Sequence, residues 1–592
     1  MTNLAIIARL GTGDSLSAIP QFRNSKSAMI RPRLSLLVLF LTGCSTSSLL
    51  DNSPSATFDR FVDSYFAGNY RERQVADSAQ PFPWLQGDAD QRRAVGATNA
   101  LRDLRAIDTV ALELEKRIEW LQLEATLKRA IRDTVLREAQ RVPGRYLTVG
   151  SLYWQVAGDR RPTGREWQTI LKTVQDAPKA IDLGKRQLVD PPSLWVGLAR
   201  NTADRYEAFL RGEFPEQVRA KAPDSLKSEL VLHGEKAADA IRIFKGFLNS
   251  LNSGTENSWS VGKDHYNWLL SEVHFLPYDA DEMIAVGRRA HAETKAALEH
   301  LARGVDPKKS WKALVEEMKG RHPEPGTIAE AYRRESDRAR ELIVSRQLVS
   351  IPQPETLLFV PTPPALRETY AWAGYGGIEV RDEVPAGRFF VTDVVPEMTV
   401  EEQEQKLRAQ NNGWVTVIAL HEGYPGHHLQ SLYSRNNPSK VRSRLGNTYF
   451  GEGWGLYCEA WMACEGFYKN ADDSLAWLQM RLWRTARVII DPSIHTGQMT
   501  YQEAVSFFVD EVGLERSAAE AEVNRYTTWP TQAPSYIIGW LELERLREIL
   551  KKSRGARFSD REFAETILGI GSLPLELLKR AVLARFTPKE AR

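Results

Sequence analysis

The chain has 592 residues, with 78 lysines and arginines against 76 aspartates and glutamates, a formal net charge of +2. Near-neutrality at this size leaves no electrostatic footprint for nucleic acid, and 42% hydrophobic with 26% charged residues describes a globular chain rather than a disordered one. Three cysteines cannot build a disulfide scaffold.

Residues 29–43 carry a short basic segment with Arg31 and Arg33, an apolar run from Leu34 to Leu41, and small residues before Cys44. This is the pattern of a secretory signal, and its apolar run is far below the ~20 residues a membrane-spanning helix needs. Met29 opens the signal, so residues 1–28 read as an upstream extension from a mis-assigned start. Leu41-Thr42-Gly43-Cys44 resembles a bacterial lipobox, in which the cysteine is lipidated and becomes the first mature residue. Ser45 resembles the outer-membrane sorting choice, and polar residues 44–54 follow as a flexible tether. The expected location is the bacterial cell envelope, as a periplasm-facing lipoprotein of the outer membrane.

Residues 55–345 are dominated by helical periodicity, as in Arg102 to Gln140 and Ser225 to Leu251, and are expected to form an N-terminal helical part. Residues 346–592 are expected to form a catalytic part. Prolines 352, 354, 361, 363 and 364 first break the chain into short apolar runs, of which Leu357–Val360 and Arg388–Val395 read as strands. Helical pattern resumes from about Val400 to Leu583. The fold class expected is mainly α with a small embedded β-sheet. Cys458 and Cys464 lie six residues apart in a helical stretch, ~9 Å along the axis and on different faces, so they are expected to be buried, unbonded small hydrophobes. Trp454, Trp461, Trp477 and Trp483 fall at core-packing spacings, and His265 and His274 have no metal motif around them.

Chemistry concentrates at residues 411–430. Ten histidines serve the whole chain, and His421, His427 and His428 fall together at the end of an apolar helical run. His421-Glu422 begins as the zinc-protease H-E-x-x-H motif does, where two histidines on one helical face hold the metal and the glutamate polarises its water. Pro425 stands where the second histidine of that motif belongs. Lacking an N–H, and with a ring that clashes with the His421 carbonyl, it must widen or break the turn. On a straight helix His427 would lie ~9 Å along on the wrong face, and His428 on the correct face but ~10.5 Å away. If a Pro-Gly bulge absorbs two residues, His427 falls where the second ligand belongs, with His428 as the alternative. A catalytic zinc site wants a third protein ligand and an open position. Glu452, flanked by Gly451 and Gly453, is the candidate, and Glu459 two turns on could accept from a ligand imidazole.

The string His421-Glu422-Gly423-Tyr424-Pro425-Gly426-His427-His428-Leu429-Gln430, followed by Glu452-Gly453-Trp454, resembles the bacterial family labelled domain of unknown function 885. That family resembles helical zinc peptidases with the architecture of carboxypeptidase Taq and angiotensin-converting enzyme. The resemblance covers about residues 55–585 and implies a large zincin-like (gluzincin) helical fold, one Zn2+ bound by His421, His427 and Glu452, and Glu422 as general base. Two further segments match, Arg487-Val488-Ile489-Ile490-Asp491-Pro492-Ser493-Ile494-His495 and Glu522-Val523-Asn524-Arg525-Tyr526 with Pro530-Thr531-Gln532-Ala533-Pro534-Ser535-Tyr536. Relatives more often carry Thr-Gly after the aspartate and Gly after the proline, where this chain has Pro492, Ser493 and Thr531.

In such a site Glu422 would take a proton from the attacking water and pass it to the leaving amine. His495, Tyr536 and Tyr526 are candidate donors to the developing oxyanion, and Arg525 could hold a substrate carboxylate. The run Arg388–Val395 could offer an edge on which an extended peptide lies. The expected function is an envelope-anchored zinc metallopeptidase with peptide substrates and no nucleic-acid partner. The alternatives are a zinc hydrolase of another amide or ester, and a non-catalytic binding or scaffold lipoprotein.

Overall fold

The computed structural model describes residues 51–70, 83–85, 88–156, 161–251, 253–255, 257–362, 372–381, 384–395 and 398–586. The signal 29–43, the extension 1–28 and Cys44 lie outside the described residues.

Helix α1 (Leu114–Arg132) packs against the preceding helix Ala89–Arg105 around Leu101, Leu104, Leu123 and Leu127. Helices α2 (Gly164–Gln187), α3 (Ser193–Arg211) and α4 (Asp224–Ser250) then build a helical layer with its own core. In α2 a Thr163/Glu166 capping box satisfies the first turn, and Trp167, Ile170, Leu171, Val174 and Ile181 recur at helical spacing on the buried face.

The largest core takes side chains from both sides of residue 345, from Trp259, Met283, Leu298 and Tyr332 to Trp414, Trp477, Ile538 and Leu577. At its centre runs α10 (Ala471–His495), buried from Asp473 to His495 and packed along α5 (Ala280–Val305). Such a helix is normally apolar all round. Here it carries Arg481, Arg484, Arg487, Asp491 and His495, and Arg484, Arg487 and Asp491 have side-chain partners in Glu459, Glu522 and Tyr266. Around it stand α6 (Ile328–Ser345), α7 (Asn412–Glu422), α8 (His427–Arg435), α9 (Thr448–Cys464), α11 (Arg516–Thr528) and α12 (Ser535–Arg554). α9 and α12 cross where Gly453 faces Gly539, and a Cβ on either would strike the backbone of the other.

The sheet has three strands, β1 (Thr356–Pro361), β2 (Ala373–Arg381) and β3 (Val384–Val391), in the order β1-β3-β2, with β1 parallel and β2 antiparallel to β3. β1 lies where expected. β3 starts before and ends before the expected run Arg388–Val395. It is also the central strand, which corrects the expectation that this run offers a docking edge. β2 was not legible as a strand because Gly374, Gly376 and Gly377 interrupt its apolar pattern, and its register slips between Tyr375 and Ile378. Thr531 occupies the left-handed region with φ 69°, a conformation that favours glycine. Cys458 is buried, Cys464 is exposed rather than buried as expected, and neither is in a disulfide.

Candidate metal centre

α7 starts with Asn411, whose side chain accepts from the Trp414 N–H at 3.1 Å, and buries Val415, Val417, Ile418 and Leu420 before ending at Glu422. The Gly423 N–H still bonds Ala419 O at 2.9 Å, but the next return is Gly426 N–H to Leu420 O at 3.1 Å, six residues back instead of four. α8 then begins at His427. The turn therefore absorbs two residues, and Gly426 is required there because a Cβ would collide with the carbonyls of Leu420 and His421. From α9 the Trp454 indole N–H donates to Pro425 O at 3.0 Å and ties the turn down.

The turn brings His427 to His421. Their rings meet edge-on with centroids 4.8 Å apart, and both Nε2 atoms approach one oxygen of Glu452, at 3.4 Å from His421 and 3.3 Å from His427. The three ligand atoms lie within 4.8 Å of one another. A tetrahedral zinc with bonds of about 2.1 Å sets its ligands about 3.4 Å apart, so this spacing suits a common ion and is long for direct hydrogen bonds. Burial disfavours a charged imidazole at His421, but the neighbouring Glu452 and Glu459 carboxylates outweigh it and push it up to about 9. His427 is raised in the same way through Glu452, and Glu452, in spite of its burial, is held well below the carboxylate range by the two imidazoles. The carboxylates thus gather positive charge at this point, as imidazolium protons or as a cation in their place.

Comparison with known proteins places the chain. A family model described as bacterial protein of unknown function, DUF885, matches residues 68–582. The chain belongs to the DUF885 family. A candidate lipoprotein of unknown function from Shewanella oneidensis has a similar structure, with TM-score 0.71, 20% identity, 90% of this chain and 100% of that chain covered. A candidate lipoprotein from Colwellia psychrerythraea is similar with TM-score 0.73, 16% identity and coverage of 90% and 99%. At these identities the likeness is one of fold. No curated protein matches the sequence.

Around the cluster of this DUF885 chain the structure supplies outer partners. His421 Nδ1 lies 2.8 Å from Glu459 Oε1, which also meets an Arg484 Nη2 at 3.2 Å, and all three side chains are almost fully buried. An acceptor at Nδ1 places the ring proton there and leaves Nε2 a lone pair toward Glu452. Gly455, one turn after Glu452, lets the His421 ring in, since a Cβ there would strike it. Glu422 accepts the backbone N–H of Tyr375 on β2 at Oε2, 3.0 Å away.

Of the residues expected to assist, Tyr536 is at the site. Its ring stacks on His421 at 6.0 Å between centroids, the Arg487 guanidinium lies 4.6 Å over it, and its hydroxyl has no hydrogen-bond partner among the described residues. The other three have their polar atoms engaged with other groups. His495 is fully buried, with Nε2 at 3.0 Å from Tyr526 O and Nδ1 accepting the Val261 N–H at 3.5 Å, so backbone groups use both ring nitrogens. The Tyr526 hydroxyl donates to Glu522. Arg525 bonds Gln532 and pairs with Glu522, which also binds Arg487 at 3.0 Å.

His428, the alternative ligand, points away from the cluster, with Nε2 at 3.0 Å from Glu355 and Nδ1 at 3.1 Å from the Tyr375 hydroxyl. Burial opposes ionisation of Glu355, but hydrogen bonds from His428 and Tyr424 hold its carboxyl down at about 2. Tyr375, Arg484 and Glu355 had no motif to mark them. Arg487 and Glu522 stood inside matched segments without an expected role.

Proposed function

We propose that the chain is a zinc-dependent metallopeptidase held at the bacterial envelope through Cys44. The observation that carries this is the spacing of His421 Nε2, His427 Nε2 and Glu452 Oε2 beside Glu422. Two imidazoles and a carboxylate are a donor set that suits zinc and leaves one position open, and Glu459 fixes the tautomer that His421 needs as a ligand.

When bound, the ion would lower the pKa of water at its open position toward ~7 and polarise the substrate carbonyl. Glu422, next to His421, takes the proton as water attacks and returns it to the leaving amine. The Tyr536 hydroxyl, without a hydrogen bond among the described residues, donates to the oxygen on which charge develops, while Arg487 keeps its ring in place from the other side. β2, an edge strand beside Glu422, offers backbone groups along which an extended peptide could lie. The anchor at Cys44 is supported by the lipobox-like sequence and by the two structural neighbours described as candidate lipoproteins.

The test is hydrolysis of a mixed peptide library by the zinc-reconstituted protein, with Glu422→Gln alongside. Loss of about 10²–10⁴-fold in rate with metal retained is the outcome expected for removal of the base. Cleavage of ester or other amide substrates without peptides would favour the wider hydrolase reading. A metal-loaded protein that cleaves nothing would favour a binding module.

A further inference from the structure

We propose that Glu355, His428 and Tyr375 form a positioning relay that holds edge strand β2 against Glu422 and so sets the orientation of that carboxylate. The contacts run in series. Glu355, at the start of the sheet, accepts from His428 Nε2 at 3.0 Å, His428 Nδ1 accepts from the Tyr375 hydroxyl at 3.1 Å, and the Tyr375 backbone N–H donates to Glu422 Oε2 at 3.0 Å. The two hydrogen bonds of His428 define one tautomer, with the proton on Nε2. Neither inner group can move easily. The Glu355 and His428 side chains are 2% and 0% exposed, Tyr424 and Arg340 also bind Glu355, and Gly387 on β3 lies so close that a Cβ there would strike the His428 ring.

β2 needs such a tie at this point. Its register on β3 shifts between Tyr375 and Ile378, and Gly377 takes φ 81°, so the ladder is interrupted directly after Tyr375. The side chain of Tyr375, rather than continuous strand pairing, then fixes where its own N–H points. That N–H engages one oxygen of Glu422 and leaves the other for proton transfer. Glu355, His428 and Tyr375 are positioning residues that act through Glu422, and their value to catalysis rests on Glu422 being the base.

The experiment uses the full zinc-reconstituted chain and two readouts, deuterium uptake of the β2 peptide around Tyr375 and the kcat and KM of peptide hydrolysis. Tyr375→Phe removes only a hydroxyl and keeps the ring volume, so folding is not at stake, whereas His428→Gln is a harsher second variant. Tyr375→Phe is expected to speed exchange of the residue-375 amide about ten-fold and to lower kcat about ten-fold with KM little changed. Glu422→Ala, which removes the acceptor, is expected to speed the same amide whether or not the protein cleaves peptides. Absence of any hydrolysis by the wild-type protein would therefore count against the peptidase reading, while the exchange arm still decides the relay. Wild-type exchange in Tyr375→Phe, or faster exchange with unchanged kcat in an active enzyme, would overturn the relay.

Discussion

Single side chains around the cluster do separable jobs. Glu459 touches no ligand atom that faces Glu452; it holds the far nitrogen of His421 and is itself held by Arg484. Glu459→Gln keeps the shape but loses the charge, and zinc affinity is expected to fall about 10–100-fold, measured by competition with a chromophoric chelator. Unchanged affinity would show that the tautomer is set without it. Tyr536 is the proposed donor to the developing oxyanion, so Tyr536→Phe is expected to lower kcat by about 10²–10³ with little change in KM or zinc content. A change confined to KM would assign it to substrate binding instead. His274 gives a pH-dependent signature. Burial pushes its imidazole down to about 3 from the ordinary 6.5, while Nε2 contacts Thr531 Oγ1 at 2.9 Å. A depressed folded value means that its share of stability is complete above pH 6.5 and is lost as pH falls toward 3. His274→Gln is therefore expected to flatten the decline in urea midpoint between pH 6.5 and 4, and a decline as steep as in the wild type would contradict the buried neutral ring.

At the scale of elements, the decisive feature is the interruption between α7 and α8. Pro425 in the sequence already required a widened turn, and the six-residue return from Gly426 to Leu420 is the form it takes. That is why the placing of His427 beside His421 was legible from chemistry and spacing. His428 was harder to place, since only the position of Glu355 on another element explains why it turns inward. The other partners of His495, Arg525 and Tyr526 were hidden for a related reason. A motif records which residue types occur, but not whether their polar atoms are already spent on Tyr526 O, Gln532 or Glu522. β2 escaped the sequence because its glycines serve a bulge and a close approach rather than an alternating pattern. The crossing of α9 and α12 has an energetic corollary. Gly539→Ala would push a methyl into the α9 backbone and is expected to cost about 1–3 kcal/mol by denaturant unfolding, with zinc binding weakened as Glu452 shifts. A neutral effect would mean that the helices can part freely.

Across the whole molecule the near-zero charge and ordinary composition conceal a strong local asymmetry. Charged and polar groups that would be costly singly inside a core are collected along α10 and its neighbours, where Arg484 pairs with Glu459 and Arg487 with Glu522. The helical class and the small sheet were readable from periodicity and from proline-bounded runs, whereas the assembly of distant segments 355, 375, 421–428, 452–459, 484–487 and 536 at one place was not. Membrane attachment belongs at this scale as well. Cys44→Ala is expected to release the protein from the membrane fraction to the soluble one, and continued membrane association of that variant would refute the anchor. The central claim is tested most directly by zinc content per chain after reconstitution and dialysis, in the wild type and in His427→Ala. One zinc per wild-type chain and loss of stoichiometric zinc in the variant are expected; a wild-type chain that retains none, or a variant that retains its zinc, would contradict a metal centre at His421, His427 and Glu452.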